Sequence, residues 1–186
     1  MARLNSPEAL EKLSQELSSR RDPNSPSISI CAGTGCLACG ASDVVSAFRD
    51  EFEKQGLKDK VGLRSTGCHG FCERGPIVVI DPEETCYLQV TPGDVPEITS
   101  GALNEKKIVD RLLYVHPVTG EKTTRESDIP FYKNQKRLVF GPNRKIDPQS
   151  IEDYIAIGGY RALVKAPFEM TPEQIIGVPP ARLRRW

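Results

Sequence analysis

Two pairs of cysteines stand in glycine-rich stretches of the first half of the chain. Cys31 and Cys36 close the run Cys31-Ala32-Gly33-Thr34-Gly35-Cys36, and Cys68 and Cys72 lie within Thr66-Gly67-Cys68-His69-Gly70-Phe71-Cys72-Glu73-Arg74-Gly75-Pro76. Thiolates are the ligands that soft metals and iron–sulfur centres take, and glycine lets backbone fold closely around whatever the sulfurs hold. The chemistry these residues point to is a metal centre, an iron–sulfur cluster first among the candidates.

Composition narrows the choice. Six cysteines in a secreted protein could form a disulfide scaffold, but Met1 to Leu10 shows no basic segment leading into an apolar stretch of signal-peptide length. No apolar run is long enough to cross a bilayer, so direct membrane insertion is not expected. The expected location is cytoplasmic, where thiols stay reduced and clustered cysteines more often bind metal than pair. The counts of acidic and basic residues are equal, 25 each, which leaves no net field to attract nucleic acid. Arg182, Arg184 and Arg185 form a basic tip that reads as solvated.

The elements that must position the cysteines follow from periodicity. Pro7 to Arg20 carries Leu10, Leu13 and Leu17 at helical spacing, and the run Asp22 to Pro26 breaks it. Ser27 to Ile30 reads as a strand delivering Cys31, and Val61 to Ser65 as a second strand delivering Cys68. Between them, Val44, Val45, Phe48 and Phe52 mark one face of a helix over Asp43 to Gln55 that Gly56 stops. Ile77 to Ile80 and Tyr87 to Val90 read as a hairpin around Asp81 to Glu84, and Glu105 to Leu113 as a further helix. His116 to Asn134 is polar with no sustained period and reads as a linker. Beyond it come a short strand over Lys136 to Phe140, a helix from Asp147-Pro148 to Gly158-Gly159, and a last helix opened by a capping box at Thr171 and Gln174. This order fits a small α/β domain of the thioredoxin type, with metal-binding loops at one end of its sheet.

Spacing leaves several chemistries open. Structural zinc favours two to four residues between knuckle ligands, and the wide gap from Cys36 to Cys68 is unlike a finger. Cys31, Cys36, Cys39 and Cys68 match the plant-type ferredoxin spacing, which leaves Cys72 unexplained. Cys36-Leu37-Ala38-Cys39 is also a CxxC pair of the kind used in thiol–disulfide exchange. Cys39 and Cys86 read as small hydrophobic residues, one at the start of the following helix and the other on the hairpin. His69 reads as a hydrogen-bond donor beside the sulfurs or as a plain loop residue, because histidines ligate iron–sulfur clusters in pairs and His116 lies far along the chain.

The stretches Cys31 to Ala41 and Thr66 to Pro76, with Ile77-Val78-Val79-Ile80 and Tyr87 after them, resemble the thioredoxin-like [2Fe–2S] ferredoxin domains, among them the small iron–sulfur subunit of respiratory complex I. The resemblance covers about Ser27 to Leu113 and implies that Cys31, Cys36, Cys68 and Cys72 ligate the cluster. A second resemblance covers Gln135 to Ile176. Phe140-Gly141-Pro142, Ile146-Asp147-Pro148 and Tyr154-Ile155-Ala156-Ile157-Gly158-Gly159-Tyr160 are similar to the opening of the complex I flavoprotein subunit and of the diaphorase subunits of NAD(P)-linked hydrogenases and formate dehydrogenases. That family takes hydride from NADH onto FMN and passes electrons through iron–sulfur clusters, including a [4Fe–4S] centre. Its glycine-rich phosphate loop has no counterpart in Gly177-Val178-Pro179-Pro180-Ala181, since proline lacks the amide donor such a cradle needs.

The resulting expectation is an N-terminal helix and linker over 1–26, a thioredoxin-like [2Fe–2S] domain over 27–115, a linker over 116–134, and a truncated start of an FMN- and NADH-binding domain over 135–186. Electron transfer with the other subunits of a multi-subunit redox complex is the expected function. Neither FMN, NAD nor a [4Fe–4S] cluster is expected on this chain itself, so enzymatic activity of its own is left open.

Overall fold

A computed structural model of the chain describes residues 4–101 and 107–183, the stretch 178–183 by backbone alone. Internal contacts divide it into two units, one of residues 21–150 and one joining residues 1–20 to residues 151–186. Among the described residues no helix is long and apolar enough to cross a membrane.

The larger unit is built on a four-stranded sheet. β1 (Ser27–Cys31) leads through α2 (Thr34–Ala38) and α3 (Ala41–Gln55) to β2 (Gly62–Thr66), and β3 (Val78–Asp81) turns into β4 (Thr85–Tyr87). Here α1 denotes the earlier helix Pro7–Ser19. The strand order is β2-β1-β3-β4. β1 runs parallel to β2, with Cys31 beside Thr66, and antiparallel to β3. This mixed α/β sheet has the expected thioredoxin-like ferredoxin fold.

β1 is buried on both faces. Ile28 and Ile30 point to one side, where Val78, Ile80 and Tyr87 of the neighbouring strands join Val44, Phe48 and Phe52 of α3. Phe48 and Phe52 meet edge to face with ring centroids 6.4 Å apart. Gly56 adopts φ +63° at the end of α3, the left-handed stop expected of it. Cys31 points to the other side, with Val79, Cys86 and Leu88, and there Tyr114, Ile129 and Tyr132 cover the sheet.

That second cover corrects the expected linker. Residues 116–134 are folded: β5 (Tyr114–Val115) pairs with β6 (Lys122–Thr123), and α5 (Pro130–Lys133) follows a buried Ile129. A polar sequence with a few spaced apolar residues carries no period because short turns, rather than one regular element, deliver those residues to the sheet. Other boundaries move as well. The hairpin strand expected at Tyr87–Val90 sits earlier, at Thr85–Tyr87, and the following amides of Leu88 and Val90 bond outside the hairpin, to Leu112 and Pro76. Of the helix expected over Glu105–Leu113, residues 105 and 106 lie outside the described residues, and the rest holds only a 3₁₀ turn at Asp110–Leu112. α4 (Val95–Ile98), which had no counterpart in the sequence reading, precedes that stretch. No strand forms at Lys136–Phe140; the chain instead enters a 3₁₀ turn at Gly141–Lys145.

The smaller unit is helical: α1, α6 (Ile151–Ala156), α7 (Arg161–Glu169) and α8 (Pro172–Leu183). Leu10 and Leu17 of α1 are buried with Ile155 of α6, and Ser14 Oγ donates to the Ile155 carbonyl at 2.9 Å. The capping box forms as expected, with Thr171 N–H donating to Gln174 Oε1 and Gln174 N–H to Thr171 Oγ1. Arg184 and Arg185, with the Arg182 side chain, lie outside the described residues.

Phe48 is completely buried between α3 and the sheet. Phe48→Ala removes a ring that the close-packed face cannot replace and should destabilise the protein by about 3–5 kcal/mol, seen as a lower denaturant midpoint at an unchanged slope. A loss below about 1 kcal/mol would mean that α3 contributes little to holding that face.

Candidate metal centre

Parallel pairing puts the C-terminal ends of β1 and β2 on the same edge of the sheet. Cys31 ends β1, Thr66 ends β2 beside it, and the Ala32 amide donates to the Thr66 carbonyl at 2.9 Å. The chain leaving β1 coils into α2, which carries Cys36. The chain leaving β2 passes Cys68 and reaches Cys72 at the head of a 3₁₀ turn. Two pairs far apart in sequence thus meet at one edge.

The glycines set how close they come. A Cβ on Gly33 would lie 2.8 Å from Cys68 Cβ, one on Gly35 2.9 Å from Cys72 Cβ, and one on Gly75 2.6 Å from Cys36 Sγ. Real Cβ atoms do not approach so closely, so at these positions only glycine permits the packing of one loop on the other.

The sulfurs sit in pairs. Cys68 Sγ and Cys72 Sγ are 3.6 Å apart. Two thiolates on one tetrahedral ion at about 2.3 Å are about 3.8 Å apart, so this spacing already suits a shared metal. Cys31 and Cys36 share a hydrogen bond that holds the Cys31 thiol far below its usual range and pushes Cys36 far above. Cys72 is likewise raised by its hydrogen bond with Cys68. Among the described residues, no three metal-binding side chains gather closely enough for a single ion. Two separate pairs of thiols fit a two-iron centre better than a lone zinc. Backbone amides aim at the same atoms: His69 N–H donates to Cys31 Sγ at 3.5 Å and Gly70 N–H to Cys68 Sγ at 3.3 Å, with Gly70 at φ +95°. Such donors favour the thiolate.

Burial divides the four. Cys31 and Cys36 are fully buried, Cys68 is partly exposed and Cys72 exposed. Cys39, expected to pack as a small hydrophobic residue, is exposed at the end of α2. Cys36 is enclosed and its thiol is raised, so it is not poised as the attacking thiolate of a Cys36–Cys39 exchange pair. Cys86 sits on β4 as expected, and burial pushes its thiol well up.

His69 is the residue whose place the sequence reading left most open. It is wholly buried, with Nε2 2.8 Å from Thr66 Oγ1 and Nδ1 3.1 Å from Glu126 Oε1. Burial alone would raise the Glu126 carboxyl, but the His69 hydrogen bond and the Arg144 guanidinium outweigh it and hold the group below its usual range. An ionised Glu126 accepts, so His69 Nδ1 carries a proton toward it. Arg144 pairs with Glu126 and, at 2.8 Å, with Asp81. Arg137 donates to the His69 carbonyl at 2.8 Å, the Gly67 amide donates to the Asn143 carbonyl, and Phe131 stacks on Phe71 with centroids 4.4 Å apart. Glu126, Arg137, Asn143 and Arg144 were not read as functional. Each stands among other polar residues of an irregular segment, with no spacing to mark it.

Comparison with known proteins agrees with this arrangement. Residues 17–102 match the thioredoxin-like [2Fe-2S] ferredoxin family. The chain is 36% identical over 77 residues to a 2Fe-2S ferredoxin of Clostridium pasteurianum, covering 41% of this chain and 76% of that one. It is 34% identical over 79 residues to a 2Fe-2S ferredoxin of Aquifex aeolicus, covering 42% and 71%. It is 37% identical over 76 residues to the NADP-reducing hydrogenase subunit HndA of Solidesulfovibrio fructosivorans, covering 38% of this chain and 43% of that protein. With its two glycine-spaced cysteine pairs brought to one edge of a thioredoxin-like sheet, the chain belongs to the thioredoxin-like [2Fe–2S] ferredoxins, whose cluster carries electrons.

Proposed function

We propose that Cys31, Cys36, Cys68 and Cys72 are the cluster ligands and that the chain is a one-electron carrier within an NAD(P)H-linked, multi-subunit oxidoreductase. The observation that carries the ligand assignment is the close approach of Cys36, Cys68 and Cys72 through Gly33, Gly35 and Gly75, with Cys31 hydrogen-bonded to Cys36. The plant-type alternative would take Cys39 in place of Cys72. Cys72 lies 3.6 Å from Cys68 and against Gly35, which favours the four proposed.

A bound [2Fe–2S] centre supplies reversible uptake of one electron. The protein's own residues hold the thiolates, keep water from Cys31 and Cys36, and direct the His69 and Gly70 amides at sulfur, where added negative charge is stabilised. The exposed Cys72 marks the side on which a partner approaches closely enough for electron exchange.

The wider context rests on residues 135–186, which we read as the opening of an FMN- and NAD(P)H-binding flavoprotein domain because of the runs at Phe140–Pro142 and Tyr154–Tyr160. That a relative is named as a subunit of an NADP-reducing hydrogenase supports the same setting.

Anaerobically purified protein should contain about two irons and two sulfides per chain and give an S = 1/2 EPR signal on reduction. Stoichiometric zinc without iron would end the assignment. Serine at any of Cys31, Cys36, Cys68 or Cys72 should abolish or greatly weaken that signal, whereas Cys39→Ser and Cys86→Ser should keep it. Retention in Cys72→Ser with loss in Cys39→Ser would instead select the plant-type set. Gly33→Ala, which drives a methyl group against Cys68, should lower iron content per chain, while Gly177→Ala, with open space around it, should leave iron content unchanged. Equal iron in both would show that the close approach at Gly33 is not needed for assembly.

A further inference from the structure

The segment after residue 102 lies beyond the matched family region, yet it reaches back to the loop between Cys68 and Cys72. One contact falls on a peptide unit that also touches sulfur. The His69 carbonyl and the Gly70 amide belong to the same peptide group. Arg137 Nη1 donates to that carbonyl at 2.8 Å, and the amide on the other side donates to Cys68 Sγ at 3.3 Å. The guanidinium is itself held in place, 4.5 Å above the centroid of the buried Tyr132 ring.

We infer that Arg137 is a positioning residue that sets the reduction potential of the cluster through the His69–Gly70 peptide. The inference rests on Cys68 being a ligand. A charged donor on a carbonyl polarises the whole peptide group and makes its N–H a stronger donor, as in any chain of hydrogen bonds. A stronger donor to a ligand sulfur stabilises the more negative, reduced state and raises the potential. Removing the positive charge of Arg137 acts in the same direction, so both effects make Arg137→Gln harder to reduce.

The test is an EPR-monitored redox titration of the whole chain with its cluster loaded. Arg137→Gln should keep wild-type iron content and the S = 1/2 signal while its equilibrium constant for reduction falls about three- to tenfold, tenfold being about 59 mV for one electron. Arg137→Lys, which keeps a cation but loses the planar fork, should recover part of that loss. Arg137→Met, whose unbranched chain still packs over Tyr132, should fall as Arg137→Gln does, and it serves as the reading if the glutamine variant fails to load. An unchanged potential in a loaded Gln or Met variant overturns the inference, and so does an equal shift in the Lys and Gln variants, which would assign the effect to packing on Tyr132. Cys68→Ser separates this inference from the ligand assignment. Loss of the cluster there with no shift at Arg137 leaves the ligand set standing and this inference refuted, whereas a native cluster in Cys68→Ser refutes the ligand set itself.

Discussion

Everything at the metal-binding edge depends on β1 and β2 running in the same direction. Parallel strands need a crossover, here α2 and α3 between Thr34 and Gln55, and the crossover leaves both strands ending on the same side. Cys31 and Thr66 are therefore neighbours although a helix pair separates them in the chain. Antiparallel pairing of the same strands would send the two cysteine loops to opposite edges. The apolar face of α3, with Phe48 fully buried, fixes the crossover on the sheet and so fixes the meeting of the two loops.

The second constraint is electrostatic. Placing Glu126 and Arg144 below the surface costs desolvation that only close partners offset, and breaking such a set leaves an uncompensated charge. Arg144 faces Asp81 and Glu126, while Glu126 faces His69. The network thereby ties the end of β3, the loop of Cys68 and the segment after β6 into one arrangement. His69 is the joint, because its ring takes part in the buried network while its backbone amide points at Cys31. A residue that stands between two cysteines invites reading as a ligand, but its ring nitrogens are already engaged by Thr66 and Glu126.

Much of this was legible in the sequence where a period or a spacing marked it. The helix ending at Gly56, the strands leading to Cys31 and Cys68, and the capping box at Thr171 follow from local rules that hold whatever the tertiary context. The cysteine pairs and their glycines named the chemistry for the same reason: ligand type and backbone freedom are properties of residues. Tertiary structure decided which residues meet. Residues 114–134 fold over the second face of the sheet because Tyr114, Ile129 and Tyr132 find apolar partners there, and no period betrays residues delivered by a two-residue strand and a single helical turn. Cys39 is exposed although its spacing equals that of a ligand, since α2 directs it outward. The roles of Glu126, Arg137 and Arg144 arise only from proximity across the fold, where long-range contacts and burial, rather than neighbours in sequence, determine what a single charged side chain can do.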